Sequence, residues 1–123
     1  MGTSLAVLID TKANTIRFAS NTDYWDGAAT SLTYAAATHA WVRISEAGGI
    51  VTWATSTDGL AWTNRRTLAT PAWVTTATAC GLLLESYRDA GATDYVEYAH
   101  LNVAPTAPSD PAAVKKAAFM SFF

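Results

Sequence analysis

Residues 40–63, AWVRISEAGGIVTWATSTDGLAWT, contain three strand-like runs separated by two glycine-bearing turns, and they carry three of the five tryptophans. Gly48-Gly49 joins the first run to the second, and Asp58-Gly59 joins the second to the third. Such pairs supply the positive φ that a tight hairpin turn needs, so each run is expected to fold back antiparallel on the one before it. Side chains alternate across a strand, which puts Trp41, Arg43 and Ser45 on one face and Val42 and Ile44 on the other. In the next run Val51, Trp53 and Thr55 share a face opposite Thr52, Ala54 and Ser56; alternation alone does not decide which face is buried. Tryptophan hides a large apolar area, so Trp41, Trp53 and Trp62 are each read first as core residues. A sugar-stacking role requires at least one of them to be exposed.

Upstream, SLAVLID at residues 4–10, the turn-like tetrad Thr11-Lys12-Ala13-Asn14 and TIRFAS at 15–20 read as a hairpin, with Ile16 and Phe18 inward and Arg17 outward. Its first strand is almost uniformly apolar, so it is covered on both faces or offered to a partner chain. The loop at 21–30, NTDYWDGAAT, places Asp23, Tyr24, Trp25 and Asp26 together. An aromatic beside carboxylates suits a sugar ring, and carboxylates can ligate Ca²⁺. The spacing is not that of a calcium loop, and Asn, Asp and Gly favour turns for backbone reasons, so no metal or cofactor is expected.

Downstream, a strand is expected at 63–68, Thr70-Pro71 breaks it, and Trp73 sits in a connection of small residues. Arg65-Arg66 reads as a solvated strand edge. Further strands are expected at 78–87 and 94–103, giving about seven to nine in an antiparallel β-sandwich. APTAPSDP then opens a proline-punctuated linker at 104–108. Ser109 or Asp110 with Pro111 starts a helical tail over 109–123. Val114, Ala118 and Phe122 form one stripe of that tail, with Phe119 and Phe123 alongside, and this apolar stripe is expected to dock on another subunit, the competing reading being a lid folded back on its own sandwich.

The tryptophan-bearing pattern W-V-R-I-S-E-x-G-G-x-V-T-W-x-T-S-x-D-G-x-x-W-T resembles the W-x-R-I-R-E-x-G-G-T-V-x-W-E-T-S-x-D-G-x-x-W-T signature of concanavalin A-like jelly-roll domains, as in minor tail proteins of actinobacterial phages. The resemblance extends to Cys80-Gly81-Leu82-Leu83-Leu84 and to residues 95–103, roughly half the chain in all. It implies an all-β jelly roll at 1–103 with a short C-terminal helical tail. The same resemblance implies a non-enzymatic virion structural protein, expected to be multi-copy or homo-oligomeric among other virion subunits. Relatives of this kind usually carry more strands before the tryptophan hairpin, so the sandwich is either trimmed or completed by a neighbour. One sandwich hosts lectins, hydrolases and inert modules alike, so function must be argued from the site.

The alternative function is a carbohydrate-binding module whose ligand surface combines Asp23, Tyr24, Trp25 and Asp26 with Trp41 and Arg43. Hydrolysis would need two carboxylates facing one another across a groove. Asp94 and Glu97 are an odd number of residues apart and face opposite sides of their strand, while Glu46, Glu85 and Glu97 are scattered. His39 and His100 lack a nucleophile elbow or a metal spacing. A net charge of −2 gives no basic surface for nucleic acid. Cys80 is the single cysteine, so no intrachain disulfide forms. Neither a signal peptide nor a membrane span is legible, so synthesis in a host cytoplasm is expected, and the resemblance adds an expected place in the virion.

Overall fold

Among the described residues, six strands are laid down by the segments between them. The computed structural model describes residues 3–76 together with Gly81 and Leu83. Those residues form β1 (Ser4–Asp10), β2 (Thr15–Asn21), β3 (Thr30–Thr33), β4 (Trp41–Ala47), β5 (Ile50–Ser56), β6 (Thr63–Ala69) and a short helix α1 (Ala72–Thr76). The β1–β2 turn is closed by the Asp10 carboxylate, which accepts from the amides of Lys12 (2.9 Å) and Ala13 (2.8 Å), while Asn14 takes a positive φ of 54°. Asparagine tolerates that conformation better than most residues. At the β4–β5 turn Gly48 and Gly49 have φ of 59° and 79°, both central residues of a two-residue hairpin with Ala47 paired to Ile50.

The Asp58-Gly59 connection is wider than the expected tight hairpin. It spans residues 57–62 and is organised by side chains: Asp58 Oδ1 accepts from Ser56 Oγ and the amides of Leu60 and Ala61. Ser56 Oγ in turn accepts from the amides of Asp58 and Gly59. The Asp58 carboxyl is held below its ordinary value by these backbone amides and by Ser56. Gly59 still supplies a φ of 76°, so the glycine was correctly read and the loop length was not.

All neighbouring strands pair antiparallel, in two three-stranded sheets of order β1-β2-β3 and β4-β5-β6. Ile16 and Phe18 from the first sheet meet Val42, Ile44, Val51 and Trp53 from the second in one apolar cluster, flanked by Leu5, Val7, Leu32, Tyr34 and Leu68. Each of those six buried side chains contributes about 1.5–3 kcal/mol by leaving water. The indole Nε1 of Trp53 donates to the Ala6 carbonyl at 3.1 Å, joining β5 to β1 through the core. The mostly β character is thus as expected.

Two expectations are corrected. A short helix, α1, precedes residue 104, where none was expected before the C-terminal tail. Pro71 has a preset φ, and its carbonyl accepts from the Val74 amide at 2.9 Å, so the break after β6 starts a helical turn. Arg66 is not a solvated edge residue, because its side chain is 9% exposed and paired with Asp26. The strands expected at 78–87 and 94–103, Cys80, the linker at 104–108, and the tail residues Val114, Ala118, Phe119, Phe122 and Phe123 lie outside the described residues. No helix among the described residues is long and apolar enough to cross a membrane.

Candidate functional site

Beyond β2 the chain makes a turn of two residues, closed by reciprocal backbone hydrogen bonds between Thr22 and Trp25 at 3.0 and 3.2 Å. Its central residues, Asp23 and Tyr24, have φ of 53° and 72°. Asn-Gly ordinarily occupies these positions, because a side chain in the left-handed region crowds its own backbone. Here the turn instead carries a carboxylate and a phenol, and it leaves Tyr24 70% and Trp25 66% exposed. No other described aromatic is exposed to that degree.

Trp25 does not hang free. The Arg17 guanidinium carbon lies 4.0 Å from its ring centroid, a cation–π contact on one ring face that leaves the indole largely open to solvent. Arg17 stands on the outer face of β2, since Ile16 and Phe18 on either side point into the core. Its Nη2 also donates to the backbone carbonyl of Asp26. The residue after the platform therefore anchors the cation beneath it.

Asp26 itself is 9% exposed and fully engaged. Its Oδ2 accepts from the Ser20 amide at 2.8 Å and from Arg66 Nη1 at 2.5 Å, and its Oδ1 accepts from the Ala28 amide at 2.8 Å. Burial alone would raise this carboxyl, but the Ser20 amide, the Arg66 guanidinium and the Ala28 amide together hold it below its ordinary value of 3.8. Arg66 Nη1 also donates to the Phe18 carbonyl at 2.8 Å, and its guanidinium sits 5.1 Å from the Trp53 ring centroid. Asp26 is thus an internal brace between the sheets, whereas the sequence placed it among ligand contacts.

Trp41 and Arg43 stand elsewhere. Trp41 is 3% exposed, packed in a second cluster with Ala40 and Trp62, and Arg43 lies 4.3 Å from the Trp62 centroid. Both are on the face of β4 opposite Val42 and Ile44, hence on the far side of the core from Arg17 and Trp25. Of the six expected ligand residues, the structure groups Asp23, Tyr24 and Trp25 at one exposed tip, puts Asp26 beneath them, and separates Trp41 and Arg43. The participation of Arg17 and Arg66 was missed.

Among the described carboxylates, Asp10, Asp26, Glu46 and Asp58 all accept backbone amide hydrogen bonds, Glu46 from Gly49 at 3.0 Å. Asp23 remains as the exposed carboxylate of the tip. No group of three or more metal-ligating side chains occurs among the described residues. His39, 7% exposed, accepts the Ala35 amide at Nδ1 (3.1 Å) and stacks on Tyr34 with centroids 5.9 Å apart. Burial, and secondarily the charge of Arg65, lowers its pKa, so it serves as a neutral acceptor closing the loop before β4.

No protein-family model, curated protein or solved structure matches this chain.

Proposed function

We propose that this chain is a non-enzymatic, lectin-like β-sandwich of the concanavalin A jelly-roll kind, carried on a phage tail or particle surface, that binds a glycan at its Tyr24–Trp25 tip. The observation that carries the glycan reading is Trp25: a large aromatic surface, 66% exposed, held from one side by Arg17. An aliphatic sugar face stacks on such a ring, and the Tyr24 hydroxyl and Asp23 carboxylate beside it are suited to the sugar's hydroxyls. Carbohydrate binding, the alternative on sequence grounds, is therefore placed first on the strength of this geometry.

The virion reading rests on the tryptophan-hairpin signature at residues 41–63 and on the apolar stripe of the tail. In that setting, docking through 109–123 into neighbouring subunits would multiply a weak tip contact by avidity. A non-enzymatic role accords with the engagement of four described carboxylates in turns and braces.

A glycan array probed with the purified chain, its oligomeric state measured alongside, tests both halves. Binding that disappears in Trp25→Ala with an unchanged melting temperature is the expected result. If no glycan is retained, or if retention is indifferent to Trp25→Ala, the stacking function is wrong.

A further inference from the structure

We infer that Arg66, on a strand of the opposite sheet, is a positioning residue for the Trp25 platform, acting through Asp26. The inference rests on the reading of Trp25 as the ligand surface. Arg66 and Asp26 are separated by 40 residues and belong to different layers, yet their side chains are each 9% exposed and in direct ionic contact. Asp26 immediately follows Trp25, so its placement determines where the indole emerges from the loop.

Two arginines grip Asp26 at its two ends. Arg66 takes the carboxylate, shared with the Ser20 and Ala28 amides, while Arg17 takes the backbone carbonyl. The same Arg17 guanidinium is the floor on which the indole rests. Arg66 is itself held by the Phe18 carbonyl, at the centre of β2 and one residue from Arg17. The load path therefore runs from β6 through Arg66 to Asp26, from the Asp26 carbonyl to Arg17, and from Arg17 to the ring.

Removing the Arg66 charge leaves a buried carboxylate without its counterion. It must turn outward to water or take up a proton, and both weaken the grip that positions its carbonyl. Arg17 then loses its anchor and Trp25 its floor. A ring ordered in advance binds more tightly than one that must be ordered on contact, so ligand affinity follows the state of a residue that never touches ligand.

The test uses the full chain labelled with ¹⁵N, with the Trp25 indole N–H resonance assigned by its disappearance in Trp25→Phe. In Arg66→Met this resonance is expected to move toward the position of free tryptophan, while the Trp62 resonance, on the far side of the core, holds. Arg66→Lys, which retains the charge, should restore part of the shift. Because Arg66→Met strands a buried charge, the double variant Arg66→Met/Asp26→Asn is measured beside it and carries the same expectation. An unmoved Trp25 resonance in a folded variant overturns the inference. Loss of the whole fold in both variants also overturns it, since the pair would then hold the core and not the loop. These outcomes need no ligand: if the wild-type chain retains no glycan, the stacking function fails while the indole resonance still decides the coupling. Where a glycan is retained, its affinity should fall at least tenfold in Arg66→Met.

Discussion

Replacing Tyr24 by glycine should make the protein more stable and less functional at once. Tyr24 is held at φ 72° in a two-residue turn, and its side chain is 70% exposed, so the mutation removes little packing. An L-residue in the left-handed region costs roughly 1–2 kcal/mol, and glycine does not incur that cost. Against this, glycine makes the unfolded chain more flexible, which takes back about 0.5–1 kcal/mol. The net expectation is a gain of about 0.5–1 kcal/mol, a rise in melting temperature of roughly 2–4 °C for a chain of this size. Adding Asp23→Asn, which completes the Asn-Gly pair this turn ordinarily uses, should not reverse the gain. Urea unfolding followed by tryptophan fluorescence would show a higher midpoint with an unchanged slope, which assigns the gain to stability and not to compactness. Glycan retention should drop in the same variant. A lower midpoint would refute the reasoning, because it would mean that the phenol is packed or that the turn does not hold Tyr24 in the left-handed region.

Other expected outcomes separate the braces from the tip. Trp41→Ala should cost about 3–5 kcal/mol, because it empties a buried site, and thermal unfolding should register that loss where Trp25→Ala registers almost none. Asp26→Ala removes one partner of a buried ion pair and should destabilise by about 3–5 kcal/mol in urea unfolding. Gly49→Ala forces a methyl group onto a backbone at φ 79° with no neighbour within 4 Å, so it should cost about 1 kcal/mol through strain alone. Stability should fall with pH in two windows. His39 has a folded pKa below its ordinary 6.5, so the unfolded state takes up the proton first and stability declines as the solution is acidified below that value. Asp26, also depressed, contributes stability that is present above 3.8 and is lost as pH falls below it toward the folded value. Denaturant titrations across pH 3–8 would show both, and His39→Asn, which keeps an acceptor for the Ala35 amide, should abolish the upper window only.

Much of the strand pairing was legible because turns are local. Gly48-Gly49, Asn14 and the alternation of Ile16 and Phe18 each express a preference within a few residues, and the antiparallel hairpins β1–β2 and β4–β5 follow from them. Burial was legible where a strand had one apolar face, as at Val42 and Ile44. Trp41 is buried as its bulk first suggested, and its second reading as a ligand contact fails; both faces of β4 carry large side chains, and only the layer packed against each decides what is covered. Alternation within β5 holds, since the unbroken pairing with β4 sets Thr52, Ala54 and Ser56 opposite Ser45, Arg43 and Trp41; Ala54, Thr55 and Ser56 are all buried because both faces are covered there.

The candidate site divides along the same line. That residues 21–27 would present aromatics and carboxylates together was already determined by the sequence, because they are neighbours in the chain. Only the tertiary structure decided that Trp25 is the open one, that Asp26 turns inward, and that arginines from β2 and β6 meet on it. The physical reason is distance along the chain: an ion pair between residues 26 and 66 depends on two sheets closing over a shared core, and that closure is a property of the packed layers, with no trace in either residue's own surroundings.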